Sequence, residues 1–259
     1  MVAPLATATH RHSNLRRPLV FNAGMDGRSL RRALCGVTAA ALLVPAEAPA
    51  RIIEIGETAG PSAPSCPASP CQAISRTTAY QKKGDTHVRS FVVPRNGRIV
   101  AWSITLGAPS TRQREFFETS LGGPARAGIT LLRPRKKPRK EVLRTIVGLS
   151  PVQELTSYFG QTVQFPLETT IAARRGDIVA LTVPTWAPAL QLGLGRRTSW
   201  RASRPWKKCG NTSTQTAQVR LSTTTGYRCR YRTASLTYTA TLITNPVPAD
   251  AETAANRRG

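Results

Sequence analysis

A run of eight residues, 133–140, contains six arginines and lysines and two prolines. Cations this close together attract polymers of phosphate or carboxylate groups and raise the rate of encounter with them. The run lies between two predicted strands, so the simpler interpretation is a solvated loop whose charge keeps a sheet edge from pairing. For the functional interpretation, the candidate polyanion-binding residues are Arg135, Lys136, Lys137, Arg139 and Lys140.

A second basic pattern lies near the C-terminus, where Arg228, Arg230 and Arg232 occupy alternate positions. Alternate residues of a strand share one face, so these three predict a basic stripe, with Arg220 as a further member. A strand face in contact with solvent would explain the same pattern without any ligand.

Three tryptophans stand beside prolines and basic residues. A tryptophan ring at a surface stacks on sugar rings, and neighbouring arginines or lysines bind anionic groups of the same ligand. The alternative is that these rings fill the core of a β domain. The candidate stacking residues are Trp186, Trp200 and Trp206.

Four of the five cysteines lie after residue 50. An even number in an exported chain favours disulfides, and we expect Cys66 to pair with Cys71 and Cys209 with Cys229. The prolines between Cys66 and Cys71 already favour a turn. A zinc site is the alternative, but neither pair has the two-residue spacing typical of zinc ligands.

The chain offers little material for catalysis. His87 is the only histidine after residue 50, so a Ser-His-Asp device would depend on it. Carboxylates for glycoside hydrolysis would have to come in facing pairs, which one sequence does not reveal. The glutamates considered for such a pair are Glu115, Glu118, Glu141, Glu154 and Glu168. We therefore expect no catalytic residue, no cofactor and no metal.

Alternation of apolar and polar residues dominates the interior of the chain. In 97–107 the residues Val100, Trp102, Ile104 and Leu106 fall on one face, which predicts a half-buried strand with Trp102 in the core. Further strands are predicted at 86–94, 127–133, 142–149, 177–183 and 232–242. Residues 111–121 break the alternation and place Phe117 and Leu121 at helical spacing, which predicts a short helix.

Many short strands with one or two short helices predict an all-β fold, an antiparallel β-sandwich of jelly-roll type. A closed barrel is the alternative, because periodicity does not show closure. The length after residue 50 suits a single domain.

The segment 31–50 reads as an export signal, with Arg31 and Arg32 ahead of an apolar run that ends in Ala48-Pro49-Ala50. The apolar run is shorter than the ~20 residues of a membrane-spanning helix, so we expect no membrane span after cleavage. The region before it is long, which favours a start at Met25. The remaining boundaries we expect are a flexible linker at 51–65, one β-sandwich at 66–244 and a disordered tail at 245–259.

The whole chain carries 37 basic and 13 acidic side chains, a net charge of +24. Residues 1–50 hold six of the basic and two of the acidic ones, so the remainder keeps a net charge of +20. Such a charge attracts polyanions, although arginine from a GC-rich genome would give the same composition.

Several segments resemble uncharacterised exported proteins of high-GC actinobacteria. They are residues 75–81, 97–107, 122–125 and 175–188, together with Cys209 and Cys229. The resemblance covers most of 65–245 and implies an exported β-sandwich, with no activity or site attached.

We predict a secreted, non-enzymatic binding or cell-envelope-associated module that contacts an anionic cell-wall polymer or polysaccharide, and the sequence leaves open whether it stays on the envelope or diffuses away. The sequence does not favour specific nucleic-acid recognition, and it leaves the oligomeric state open. The alternative function is an extracellular hydrolase of wall or environmental glycans, which rests on fold and compartment alone.

Overall fold

The computed structural model describes residues 47–56, 62–84, 91–135, 142–210 and 215–248. These ranges form antiparallel sheets and one α-helix, so the prediction of an all-β sandwich is confirmed. No helix within them is long and apolar enough to cross a membrane.

Besides two short 3-10 helices, Thr156–Tyr158 and Trp206–Lys208, the described fold contains sixteen strands and one α-helix. In chain order they are β1 (Glu47–Ala48), β2 (Ile52–Ile55), β3 (Ile74–Lys83), β4 (Gly97–Thr105), α1 (Thr111–Leu121), β5 (Arg126–Pro134), β6 (Leu143–Leu149), β7 (Gln153–Glu154), β8 (Thr162–Ala173), β9 (Ile178–Ala187), β10 (Leu190–Gln191), β11 (Ser199–Ala202), β12 (Thr224–Gly226), β13 (Cys229–Arg232), β14 (Ser235–Leu236), β15 (Tyr238–Thr244) and β16 (Val247–Pro248).

Two sheets carry most of these strands. The larger has the order β12-β6-β5-β9-β3-β11-β13, with β7 paired to β5 at one end. The smaller has the order β2-β15-β4-β8 and is curled into a half-barrel. The pairs β1-β16 and β10-β14 stand outside both sheets.

The larger sheet is also strongly curled, as its connectivity requires. Its end strands β12 and β13 are joined by Tyr227 and Arg228 alone, so Gly226 and Cys229 lie no more than about 11 Å apart. In a flat sheet, six strand spacings would separate them by about 29 Å. Because β12 and β13 are not paired in the described topology, the sheet stops short of the closed barrel that was the alternative prediction.

The main core lies between the two sheets. Trp102 of the smaller sheet is fully buried, as predicted, and its ring lies 4.8 Å from that of Phe165. The Tyr238 hydroxyl of the smaller sheet donates to the Val179 carbonyl of the larger one, at 2.9 Å. Gly148 allows the sheets to approach closely, since a Cβ at this position would collide with Ile171 of β8.

A second apolar cluster fills the concave face of the larger sheet. It contains Tyr80, Leu132, Ile146, Ile178, Ala180 and Tyr227. These residues come from four neighbouring strands and from the link between the end strands, so the curl closes around this cluster. Both faces of the larger sheet are thus covered by apolar contacts.

The predicted helix forms as α1, with Phe117 and Leu121 buried as expected. The Ser110 side chain accepts from the Gln113 amide, and Gln113 Oε1 accepts from the Ser110 amide at 2.9 Å, which is a capping box. Gly122 ends the helix with a φ of 94°, a left-handed conformation that glycine adopts without steric cost. Phe117 packs on Trp186 with ring centroids 4.9 Å apart.

One face assignment in the strand at 97–107 was wrong. A bulge between Ile99 and Ala101 shifts the pairing of β4 with β8, so Ile99 is buried and Val100 is only half-buried. Trp102, Ile104 and Leu106 point inward as predicted. The extra residue of a bulge reverses the alternation on one side of it, and a sequence pattern does not show where this happens.

The domain boundaries also differ from those predicted. Ile52–Ile55, placed in a flexible linker, form β2 and pair with β15, and Ile55 is buried. Val247–Pro248, placed in a disordered tail, pair with Glu47–Ala48. Met25 and the apolar run 33–44 lie outside the described residues, as does the tail beyond residue 248.

Both predicted disulfides are confirmed. Cys66 is joined to Cys71 with a Cα–Cα distance of 4.4 Å, and Cys209 to Cys229 with one of 5.4 Å. The second bridge fixes the first residue of β13 to the turn that follows β11. Disulfides are typical of non-reducing, extracellular compartments.

Candidate functional site

The basic run 133–140 begins at the end of β5, where only its first three residues are described. Arg133 donates two hydrogen bonds to the buried Asp177 carboxylate, at 2.9 and 2.8 Å. The pKa of Arg133 is raised by this hydrogen bonding and by the charge of Asp177, against the opposing effect of its own burial. Arg135 is exposed, whereas Lys136, Lys137, Arg139 and Lys140 lie outside the described residues.

Arg135 stands at the rim of a cleft of about 340 Å3, which we call the basic cleft. The volume falls in the range of natural ligand pockets, about 300–1,000 Å3. The described residues that line it include four with positive charge and none with negative charge. They are Tyr80, Lys82, Pro134, Arg135, Val142, Arg144 and Arg201.

Strand register explains why these residues meet. Arg201 of β11 lies directly opposite Tyr80 of β3, and Lys82 is two residues further along the same face. Arg144 lies opposite Pro134, the last residue of β5. The last residues of β3 and β5 and the first residues of β6 lie at the same end of the curled sheet. The basic cleft is the opening of the curl at this end, which we call the mouth of the sheet.

Arg144 and Tyr80 form the floor of the basic cleft. The Arg144 guanidinium lies 5.6 Å from the centroid of the Tyr80 ring, and one of its Nη atoms donates to the Tyr80 hydroxyl at 3.3 Å. A cation over a ring face is attracted by the ring's electrons, so this contact holds Arg144 in place. The floor is therefore a positioned guanidinium above an apolar cluster.

Tyr227 connects the two sides of the mouth. Its amide donates to the Val142 carbonyl at 2.8 Å, and its carbonyl accepts from Arg201 at 2.9 Å. The side chain is fully buried, and its pKa is raised above the ordinary value by burial and by the neighbouring Tyr80, although Arg144 opposes this rise. The phenol stays neutral and serves as part of the cluster.

The predicted basic stripe forms beside the cleft. Arg228, Arg230 and Arg232 are exposed, the last two on β13, and Arg230 lies directly opposite Arg201. Partial burial lowers the pKa of Arg230, and so do the charges of Arg232 and Arg201. Arg201 and Arg230 therefore place two positive charges at paired positions of neighbouring strands.

Two of the three candidate stacking residues were assigned wrongly. Trp186 is fully buried, with its indole N–H donating to the Gly123 carbonyl at 3.0 Å. Trp200 is 5% exposed and stacks on Tyr231 with centroids 4.1 Å apart. Neither ring has a face open to a sugar, so both fill the core. The side chain of Trp206 lies outside what the structure describes.

A second cleft, of about 70 Å3, lies on the smaller sheet, and we call it the hydroxyl cleft. The described residues of its lining are rich in serine and threonine and include no charged side chain. Its residues are Gly56, Ser62, Ser103, Thr105, Thr162, Leu236, Thr237, Tyr238 and Thr239. Three of its hydroxyls bond within the protein: Thr105 with Thr162 at 2.9 Å, and Thr237 to the Thr105 carbonyl at 2.6 Å.

Acidic residues do not gather in the part of the chain that the structure describes. Asp177 pairs with Arg133, Glu154 lies 3.7 Å from Arg126, and Glu54 accepts from Thr241. Glu115 and Glu168 are exposed on α1 and β8, and Glu118 is half-buried on α1. No group of three metal-ligating side chains occurs among the described residues. Glu141 and His87 lie outside them.

No protein-family model, curated protein or solved structure matches this chain. The resemblance to actinobacterial exported proteins therefore stays a prediction, and the argument for function rests on the basic cleft.

Sequence reasoning found one residue of the basic cleft, Arg135, and missed the other three cations. Lys82, Arg144 and Arg201 are far apart in the sequence and meet only through strand register. The sequence feature that points toward Arg201 is the alternation of Arg228, Arg230 and Arg232, since the strand that carries Arg230 and Arg232 pairs with the strand of Arg201.

Proposed function

We propose that this protein is a secreted, non-enzymatic module that binds an anionic polymer through the basic cleft. The observation that supports the proposal best is the convergence of Lys82, Arg135, Arg144 and Arg201 on one cleft of ligand-binding size. The two disulfides and the apolar run after Arg31 and Arg32 support an extracellular setting.

Binding would proceed by charge attraction followed by directed hydrogen bonding. The net positive charge draws a polyanion to the surface, and the cleft offers guanidinium groups that fit the two oxygens of a carboxylate or phosphate. Arg144 is held by Tyr80 and Arg201 by the Tyr227 carbonyl, so these groups need little reorganisation to bind. A floor held in this way distinguishes a site from a merely charged surface.

The test measures binding of the full oxidised chain to polygalacturonate at two salt concentrations, with neutral dextran as the uncharged polymer. We expect the triple variant Lys82→Gln/Arg135→Gln/Arg201→Gln to bind about tenfold more weakly, since three contacts of about 0.5 kcal/mol each are lost. Circular dichroism and thermal unfolding check that the variant is folded.

The matched control is Arg112→Gln/Arg114→Gln/Arg196→Gln, which removes the same charge from α1 and from the loop before β11. It should retain most of the binding. Equal weakening by both triple variants would show that net charge alone holds the polymer, and the cleft would then have no special role.

A further inference from the structure

The arginines at the mouth of the larger sheet continue without a break from the basic cleft onto β13. Arg201 lines the cleft and lies opposite Arg230, and Arg232 lies opposite Ser199, which is two residues before Arg201. Antiparallel pairing places Arg232 at the same edge of the sheet as the end of β3. The basic cleft and the arginines of β13 are therefore neighbours at the mouth of the sheet.

This arrangement is costly for the protein by itself. Like charges directly opposite each other on neighbouring strands destabilise a sheet. Neither ion pair of the described residues involves Arg201, Arg230 or Arg232. Arg201 and Arg230 are paired residues of neighbouring strands, and the lowered pKa of Arg230, caused by burial first and by the charges of Arg232 and Arg201 in addition, agrees with this placement. A bound chain of anions would relieve this repulsion.

We infer that the basic cleft and the arginines of β13 form one continuous site for a linear acidic glycan, whose successive sugar units each bring a carboxylate to a different cation. The inference rests on the proposed function and specifies its ligand. Its consequence is a length requirement: one acidic sugar occupies the cleft, and an oligomer is needed to reach Arg230 and Arg232.

The spacing of the cations favours a polymer of singly charged units. Neighbouring strands are about 4.8 Å apart, which separates Arg201 from Arg230 at the backbone, and two residues along a strand span about 7 Å, which separates Arg230 from Arg232. These steps are similar to the length of one sugar ring. A compact multivalent anion would concentrate its charge at one point instead.

The absence of open aromatic rings argues for a glycan over a nucleic acid. Proteins that bind single-stranded nucleic acid stack its bases on exposed aromatic side chains. Among the described residues of this site, Tyr80 is 4% exposed and covered by Arg144, while Tyr231 points to the other face and packs on Trp200 and Arg204. A glycan would be held here through its carboxylates and hydroxyls alone, without the stacking of sugar rings that exposed tryptophans provide.

The experiment measures the affinity of the full oxidised protein for galacturonate oligomers, from the monomer to the hexamer, by calorimetry. For the unaltered protein we expect affinity to rise about tenfold or more with length, as contacts to Arg230 and Arg232 are added. The variant Arg230→Gln/Arg232→Gln should lose most of this rise and keep its affinity for the monomer. The matched variant Arg196→Gln/Arg197→Gln should behave like the unaltered protein.

Each other outcome has a distinct meaning. If affinity rises as much from the monomer to the hexamer for the Arg230→Gln/Arg232→Gln variant as for the unaltered protein, the inference is overturned and the proposed function still stands. Single-stranded DNA of equal charge binding as tightly as the hexamer would overturn the assignment to a glycan. No binding of any length, with the cleft variant no different from the unaltered protein, would overturn the proposed function as well.

Discussion

The two clefts of this molecule are built from opposite chemistries. The basic cleft gathers Lys82, Arg135, Arg144 and Arg201 at the mouth of the larger sheet, whereas none of the described residues that line the hydroxyl cleft on the smaller sheet is charged. The hydroxyl cleft is also much smaller, at about 70 against 340 Å3. In a chain with a net charge of +24, cations are abundant enough to occupy both.

The difference teaches that composition does not decide where charge accumulates. In the hydroxyl cleft, Thr105, Thr162 and Thr237 bond to one another or to backbone, so they hold strands together. In the basic cleft, side chains from distant segments are aimed at one space above an apolar floor. Arginine-rich composition explains the number of cations, and strand register explains their convergence.

The largest effect should come from the core of the smaller sheet. Trp102 lies on the strand that supplies Ser103 and Thr105 to the hydroxyl cleft, but it points to the opposite face and is fully buried. We expect Trp102→Ala to lower the free energy of unfolding by about 3–5 kcal/mol, measured by urea denaturation.

The same variant sharpens the contrast between the clefts. While it remains folded, its affinity for polygalacturonate should be unchanged, because the basic cleft belongs to the other sheet. Trp102→Phe, which keeps most of the volume, serves as the control and should cost less. A loss of affinity in folded Trp102→Ala would mean that the two sheets do not act independently.

A somewhat smaller effect is expected from the two disulfides. Removing Cys209–Cys229, with a sequence separation of 20, should cost about 3 kcal/mol, and removing Cys66–Cys71, with a separation of 5, about 2 kcal/mol. Of the two bridges, only Cys209–Cys229 holds β13 and its arginines. The variant Cys209→Ala/Cys229→Ala should therefore bind hexagalacturonate more weakly than the unaltered protein, whereas Cys66→Ala/Cys71→Ala should keep its affinity. Equal affinities of the two variants would place β13 outside the site.

The smallest changes in the free energy of unfolding are expected when the hydroxyl group of either of two buried tyrosines is removed. Tyr238 donates to the Val179 carbonyl at 2.9 Å, so Tyr238→Phe should cost about 1 kcal/mol for the lost hydrogen bond. The Tyr227 hydroxyl is buried without a hydrogen-bond partner among the described residues, so Tyr227→Phe should leave the free energy of unfolding nearly unchanged. A clear loss on Tyr227→Phe in urea denaturation would reveal a partner for that hydroxyl.

Both phenols also predict an alkaline limit to stability. Burial raises the pKa of each above the ordinary value, so the neutral form is favoured in the folded state. Stability is therefore complete below about pH 10 and falls as the pH rises, by about 1.4 kcal/mol per pH unit for each tyrosine. Tyr227→Phe should make this fall shallower in denaturation curves collected above pH 10.

The sequence predicts the architecture well where side chains alternate without interruption. The strand at 127–133 appears as β5, that at 177–183 as β9, and the helix at 111–121 as α1 with its predicted inward residues. The cysteine pairing also followed from spacing and compartment alone. These features depend on local patterns, which a sequence displays directly.

Features that depend on tertiary contacts could not be predicted. Strand β3 buries the polar residues Thr77, Thr78 and Gln81, so it lacks the alternation of apolar and polar residues that predicts a strand. Their side chains form hydrogen bonds with other segments, Thr77 with Ser203, Thr78 with Thr182 and Gln81 with the Leu236 amide. The burial of Trp186 and Trp200 depends on rings from other segments. The basic cleft likewise exists only because β11 pairs with β3 in one register.

The two-residue link between β12 and β13 has a consequence for solubility. Because it draws the end strands of the larger sheet toward each other, the described part of this sheet has no long, flat edge. The edge that β13 leaves open carries Arg228, Arg230 and Arg232, and closely spaced charges discourage edge-to-edge pairing of strands. The arginines that we propose as glycan-binding residues would thus also keep separate copies of the chain from joining into aggregates when no glycan is present.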